Sequence, residues 1–445
     1  MKLNQILFKT LLLISLFLLI TEPITLDPVQ NTPETDSLNI SASYDWVSIW
    51  SRFDDKDDVG VDVAIDSNDD IIMGGRTTNT SSDHFVAKYD DAETQLWNDT
   101  RDGGSIDLLR ALAVSGTDIY VGNDFYNQSR YECFLGKYDT SGNQLWNTSW
   151  FKSGASGCYT RDMALSQTGD FYFTGEMAYG SSPSYTYQYF VVKLDSSGNE
   201  VWNTTSDVKD SRRKTIHGIT TFNDLVYIIG QYRNDSRNEN DPLIACISAT
   251  SGLQLWNKTW QAQGYSEGRA TDVIVDSSGN FYVTGYYGMM TNCEVFLRKY
   301  NPSSDLIWEV MYQDISSTAQ GIALEGDSSI FIVGNTKVSF SESSALLLKY
   351  GSNGTLLREG SWMGDTTIGS NMGYNVEVDS SGNVYMVGST PGISGTDAFL
   401  IKNLELLKPS SGSGNAIPSF NLWFLIGILG CTILLVMRKY RLKNR

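Results

Sequence analysis

The sequence predicts an all-β fold, a seven-bladed β-propeller with four-stranded blades closed by the N-terminal strand, and three observations carry that prediction. One hairpin pattern recurs seven times, clearest in TDVIVDSSGNFYVTG (271–285) and YNVEVDSSGNVYMVG (374–388). A second hairpin alternates with it, as in CFLGKYDTSGNQLWNTSW (133–150) and YFVVKLDSSGNEVWNTT (189–205), and the two together repeat about every 52 residues. The final unit stops after its third strand at AFLIKNLEL (398–406), while an unpaired copy of the fourth, DWVSIWSRF (45–53), stands near the N-terminus. Pairing the two ends would close the ring and leave no open face.

Ahead of the repeats, Lys2 and Lys9 form a basic stretch before an apolar run from Leu11 to Ile20 that is too short to span a bilayer. Residues 1–21 are expected to be a secretory signal and 22–43 a linker. The following ITEPITLD lacks a small-x-small cleavage pattern, so an uncleaved signal anchor stays open. The propeller is expected over 44–407. A Ser/Gly/Pro linker, 408–419, leads to the charge-free run Phe420–Met437, long enough to cross a membrane as a helix. The tail 438–445 holds Arg438, Lys439, Arg441, Lys443 and Arg445 and should stay in the cytoplasm. This order gives a single-pass type I protein of the cell membrane with its propeller outside. IPSF, the apolar span and the basic tail also look like the processed sorting tails of microbial surface proteins.

Within each unit, DSSGN and its variants supply the turns. Asp and Ser bond their own backbone, and Gly takes positive φ. DSSGN offers too few carboxylates for calcium and no cofactor is expected, but Asp66, Asn68 and Asp70 in DSNDD come nearest to a ligand set and leave Ca²⁺ open there. Trp97, Trp146, Trp202, Trp256 and Trp308 fall in one column of the outermost strands, which reads as packing between blades. Side chains alternate along a strand, so the following Asn98, Asn147, Asn203 and Asn257 should face outward. These four belong to nine Asn-x-Ser/Thr sequons, the others starting at Asn39, Asn79, Asn127, Asn234 and Asn353, and all nine are expected to be glycosylation sites of an ectodomain.

The repeats resemble the seven-bladed secreted β-propeller repeat family (SBBP-type), whose units read VDSSGNVYVTG…FLxKYDSSGNxLW. The resemblance covers nearly all of 45–407. They are also similar, more distantly, to quinoprotein-like (PQQ-type) repeats, SATSGLQLW (248–256) being the closest copy. That second likeness implies a quinone only weakly.

Composition narrows the chemistry. Two of the 33 bases lie in the first twenty residues and five in the last eight, so 26 bases face all 51 acids in the body, a balance of −25. Such a body repels phosphate backbones, which argues against nucleic acid. The two histidines, His84 and His217, exclude a multi-His metal site. Of the five cysteines, Cys431 lies in the span, and no CxxC occurs. Cys133 and Cys158 are the one pair nominated for a disulfide.

Both tight turns of each unit lie on one face. The opposite face carries the longer connections FYNQSRYE (125–132), EMAYGSSPSYTYQY (176–189), QYRNDSRNEND (231–241) and YYGMMTNCE (286–294). Their tyrosines, Tyr126, Tyr131, Tyr179, Tyr185, Tyr187, Tyr232, Tyr286 and Tyr287, offer contact area with polar tips. Both chain ends leave from the turn face, so the loop face should look away from the membrane. The innermost strands begin on the loop face at Val61, Arg110, Arg161, His217, Thr271, Gln320 and Tyr374, followed by Asp62, Asp162, Asp272 and Asn375. Asp62, Arg110, Arg161, Asp162, His217, Asp272, Gln320, Tyr374 and Asn375 are therefore candidate ligand-binding residues at the mouth of the central channel.

The leading expectation is a non-enzymatic, monomeric surface propeller that binds an extracellular protein or glycan through its loop face. The alternatives are a propeller enzyme (a quinoprotein-like dehydrogenase, glycan lyase or hydrolase) with its site at the channel mouth, or a purely structural envelope protein.

Overall fold

The structure is a computed structural model that describes residues 44–406 apart from 52–56, 79–81, 102–105, 182–184, 207–213, 235, 262–263, 290–291, 313–315, 340, 365–368, 393–394 and 405. The signal segment, Asn39, Asn79, Cys431, the C-terminal linker, the apolar span and the basic tail lie outside the described residues.

Seven four-stranded antiparallel sheets form the blades. From blade 1 to blade 7 the innermost strands are Asp58–Ile65, Asp107–Ser115, Gly157–Leu165, Lys214–Phe222, Gly268–Val275, Ser317–Glu325 and Met372–Val378. The innermost strand of blade 7 lies against that of blade 1, as every other neighbouring pair does, so the ring is closed. Closure is made as the sequence predicts. Trp46–Trp50 pairs antiparallel with Thr396–Lys402 and becomes the outermost strand of blade 7.

The repeat motifs now have physical jobs. In the DTSGN turn of blade 2, Asp139 Oδ1 accepts the Ser141 and Asn143 N–H groups, each at 2.9 Å, while Gly142 sits at φ 82°. A Cβ on Gly142 would also lie 2.9 Å from the Trp97 ring of the preceding blade. The glycine thus serves the turn and the blade interface together. The same stacking joins Gly198 to Trp146, Gly252 to Trp202 and Gly354 to Trp308. Indole N–H groups strengthen it: Trp97 donates to the Thr140 carbonyl at 2.9 Å and Trp202 to that of Ala249 at 3.0 Å. By register Trp46, opposite Lys402, joins this column and donates to the Asp91 carbonyl of blade 1 at 3.2 Å.

A second aromatic column lies four residues further on. Trp50 stacks on Phe85 (3.7 Å between centroids), Trp150 packs on Phe190 (4.5 Å), Trp260 on Phe296 (5.9 Å) and Trp362 on Phe399 (4.6 Å), each across a blade boundary. The apolar cores accordingly lie between blades. One cluster unites Tyr120 and Leu135 of blade 2 with Phe171 and Phe173 of blade 3, and another unites Met73 of blade 1 with Leu400 of blade 7.

The lysine that recurs near the end of the third strand also finds a use. It reaches an acid at the end of its blade's inner hairpin: Lys137 to Asp118 (2.7 Å), Lys193 to Asp170 (2.9 Å) and Lys349 to Glu325 (2.7 Å). In blade 1 it meets two residues of the calcium reading: Lys88 Nζ lies 2.7 Å from Asp66 and 2.9 Å from Asp70.

Two expectations are corrected. The connections on the loop face are shorter than the sequence suggested, because strands extend into them. The strands run to Tyr126, Tyr179, Asn234 and Met289 and resume at Tyr131, Thr186, Glu239 and Asn292. Cys133 and Cys158 are neighbours across the blade 2–blade 3 boundary, but both are buried free thiols, and burial pushes the Cys133 thiol up.

Candidate functional site

The innermost strands enclose a central cavity of about 830 Å³. Each of these strands carries one β-bulge, in the same place: Val61, Arg110, Arg161, His217, Thr271, Gln320 and Tyr374 are the inserted residues. A bulge adds a residue that the ladder does not use and re-aims its side chain. All nine residues nominated for the channel mouth line this cavity.

Inside the bulges runs a ring of clasps. Asp62 accepts the N–H of Val63 at 2.9 Å and, across the blade boundary, that of Leu112 at 2.6 Å. Asp162 does the same with Met163 (2.7 Å) and Ile219 (2.8 Å), and Asp272 with Val273 (2.7 Å) and Ile322 (2.9 Å). Blades 1, 3 and 5 thus supply a carboxylate, while blades 2, 4 and 6 hold Ala111, Gly218 and Gly321 at that position. A Cβ on Gly321 would lie 2.7 Å from Asn375 Oδ1. Seven is odd, so the alternation meets itself between blades 7 and 1. Blade 7 carries Asn375 there, whose Oδ1 accepts the Val376 N–H at 2.7 Å and whose amide donates to Asp62. An aspartate at 375 would set two carboxylates against each other; the amide turns that contact into a hydrogen bond.

Four of the acids that line the channel share one electrostatic condition. Burial pushes Asp62 up to about 6 and Asp272 to about 7. Asp162 is held well above the usual carboxylate range by burial and then by the charges of Asp272 and Asp62. Glu377 lines the same cavity, and burial, then the Asp62 charge, raises it to about 8. The sequence reading missed Glu377. In YNVEV it reads as the polar half of an alternating strand, and only ring closure places it opposite three other acids.

The basic residues of the mouth are held by acids on the loop-face side. Arg110 Nε lies 2.8 Å from Asp124, and Arg161 is 3.2 Å from Glu176. Arg269, also missed, bonds Gln231 at 3.0 Å and lies over Tyr286 at 5.9 Å. His217 stands 3.3 Å from Thr215 Oγ1, and the Tyr374 hydroxyl donates to the Met372 sulfur at 3.5 Å.

On the loop face of blades 2 and 3 the tyrosines gather. Tyr126 and Tyr131 are 5.1 Å apart, Tyr131 and Tyr159 5.2 Å, and Tyr185 and Tyr187 6.3 Å. Tyr159 is raised to about 12 by burial and then by Tyr187 and Tyr131, which ties the groups into one patch. Arg130 lies 3.6 Å over the Phe151 ring at its edge. The other nominated tyrosines do not join it. Tyr179 packs against the core between blades 2 and 3, and Lys214 lies 5.8 Å over Tyr232 in blade 4. Tyr287 is a correction: it is 5% exposed, stacks on Phe296, accepts from Trp260 at 2.7 Å and donates to Glu309 at 2.8 Å. It belongs to the core because its strand continues to Met289.

The sequence matches no family model and no curated protein. The solved structures to which the chain is similar include the following three. The Dos1 propeller shows 11% identity, with 82% of this chain and 97% of that one covered and a TM-score of 0.43. A protein of unknown function from Dyadobacter fermentans DSM 18053 shows 10% identity, 82% and 100% coverage and a TM-score of 0.44. A protein of unknown function from Bacteroides caccae shows 12% identity, 62% and 84% coverage and a TM-score of 0.39. None of these likenesses speaks to activity; the architecture rests on the chain's own seven sheets, which make it an all-β propeller of four-stranded blades.

Proposed function

We propose that this chain is a membrane-anchored cell-surface propeller that binds an extracellular protein or glycan through the loop face of blades 2 and 3. The observation that carries the reading is the patch of Tyr126, Tyr131, Tyr159, Tyr185 and Tyr187 with Arg130 at its edge. Tyr185 is 43% exposed, a large aromatic left in water without a core to fill. Tyrosine and arginine concentrate binding energy at interfaces because they combine area with polar tips. The inner clasps support a non-catalytic scaffold, since Asp62, Asp162 and Asp272 spend both oxygens on backbone N–H groups or, at Asp62, on Asn375.

The test immobilises the propeller and screens a glycan array and crosslinked envelope extract. Tyr131→Ser/Tyr185→Ser/Tyr187→Ser is expected to lose the partner at least tenfold while its melting temperature holds. Retention of the same partner by that variant sinks the reading. The enzymatic alternative rests on Glu377, a carboxyl held protonated near neutrality in a cavity, and would be favoured by a turnover that Glu377→Gln abolishes.

A further inference from the structure

We propose that the outermost strands of blades 1–4 carry N-linked glycans at Asn98, Asn147, Asn203 and Asn257, and that these glycans roof a row of exposed aliphatic side chains on the same strands. The inference is independent of the loop-face reading. The four asparagines hold one register position, opposite Ala87, Gly136, Val192 and Ala245 of the third strands. Each follows a tryptophan that turns toward the next blade, so strand alternation sends the asparagine to the other face of the sheet, where Asn98, Asn147 and Asn257 are exposed. Two residues before each asparagine, as the inserted residue of a β-bulge in the same strand, stands an aliphatic residue in water: Leu96 at 48%, Leu145 at 53%, Val201 at 54% and Leu255 at 54% exposure. Two residues after it comes the required hydroxyl, in Thr100, Ser149, Thr205 and Thr259.

Each of these strands ends its sheet and leaves one backbone edge unpaired. An apolar, unpaired edge is a template for aggregation, and proteins blunt such edges with bulk or charge. Blades 5 and 6 show which device replaces the sequon. Their exposed aliphatics, Ile307 at 50% and Leu357 at 42%, are followed two residues later by Glu309 and Glu359. That position therefore carries a carboxylate in two blades, Glu309 being engaged by Arg298 and Tyr287, and a glycosylatable amide in four.

The modification joins Asn Nδ2 to the anomeric carbon of the sugar. The bond from that carbon to a phosphate oxygen of a lipid-phosphate-linked glycan donor breaks, and the amide proton leaves to base. Asn203 is the most enclosed of the four, since its Oδ1 accepts Lys152 Nζ at 2.7 Å and its amide donates to Glu200 Oε1 at 2.5 Å, so its occupancy is expected to be lowest.

The test takes the full chain from the organism that makes it and maps its peptides by mass spectrometry. Glycan mass on the peptides of Asn98, Asn147 and Asn257 is expected; unmodified asparagine at all four positions overturns the proposal, whatever the other sequons carry. The roof is read separately with an apolar fluorescent dye. Replacing all four asparagines by glutamine in the same host should raise dye binding several-fold. Adding Leu96→Ser, Leu145→Ser, Val201→Ser and Leu255→Ser should return it to the starting level. Glycans present with dye binding unchanged would overturn the roof. Should the glutamine variant fail to accumulate, removing the glycans from the folded native protein gives the same reading.

Discussion

The inner wall and the outer rim of the ring both join each blade to the next, by opposite means. The rim uses large apolar side chains: a tryptophan laid on the following blade's turn glycine, and a second ring packed on its third-strand phenylalanine. The wall uses a small charged one, an aspartate that bonds the following blade's backbone. Blades diverge from the axis, so the rim has volume to fill and the wall has none. The rim repeats in almost every blade, whereas the wall alternates, because each aspartate needs a small residue beside it. Apolar contacts tolerate repetition around a closed ring. Buried charges accumulate, and Asp62, Asp162, Asp272 and Glu377 are raised as a group.

Removing one rim contact should have the largest effect. Trp202 is half-buried, donates to the Ala249 carbonyl at 3.0 Å and covers Gly252. Trp202→Ala is expected to cost about 3 kcal/mol in urea unfolding, the lower end for losing a large aromatic, because part of the ring already meets water. A cost below about 1 kcal/mol would mean that the wall, not the rim, holds blades 3 and 4 together.

The pattern of the rim was legible in the sequence because tryptophan and DSSGN recur at fixed spacing. The bulged column of the wall was legible too, as a line of aligned positions. The clasps themselves were not. Asp62, Asp162 and Asp272 are separated by blades carrying alanine or glycine, so a repeat that skips every second unit does not stand out. Tyr287 was misplaced for a different reason: YYGMM carries turn-like glycine although the strand continues through it to Met289.

Titration separates the two regions next. Above about pH 4 an unfolded chain has lost its carboxyl protons, but the folded channel keeps them until about 6 at Asp62, 7 at Asp272 and 8 at Glu377. The folded state then binds more protons than the unfolded one, so stability should fall as pH rises from about 4 to 8. Turn acids such as Asp139, Asp195 and Asp379 have the opposite sign. Hydrogen bonds lower them, and their contribution disappears only as pH drops below about 4. Glu377→Gln should raise the melting temperature at pH 8.5 and leave it nearly unchanged at pH 5. An equal gain at both values would show that packing, not charge, made the difference.

The smallest effect is expected where the rim breaks its own rule. Blade 6 carries Arg358 at the position that holds tryptophan in the other six, opposite Lys349 in the third strand. The tryptophan of one blade lies on the turn between the third and fourth strands of the next. Blade 7 has no such turn, because its fourth strand comes from the N-terminus and its third runs on toward the C-terminal linker. A tryptophan at 358 would have nothing to cover, and an arginine can keep its charged head in water while its stem packs. Arg358→Trp should therefore change unfolding free energy by no more than about 0.5 kcal/mol, the range of ordinary surface substitutions. A gain of about 2 kcal/mol or more would show that the tryptophans stabilise their own blades, and that the wall alone carries the join between them.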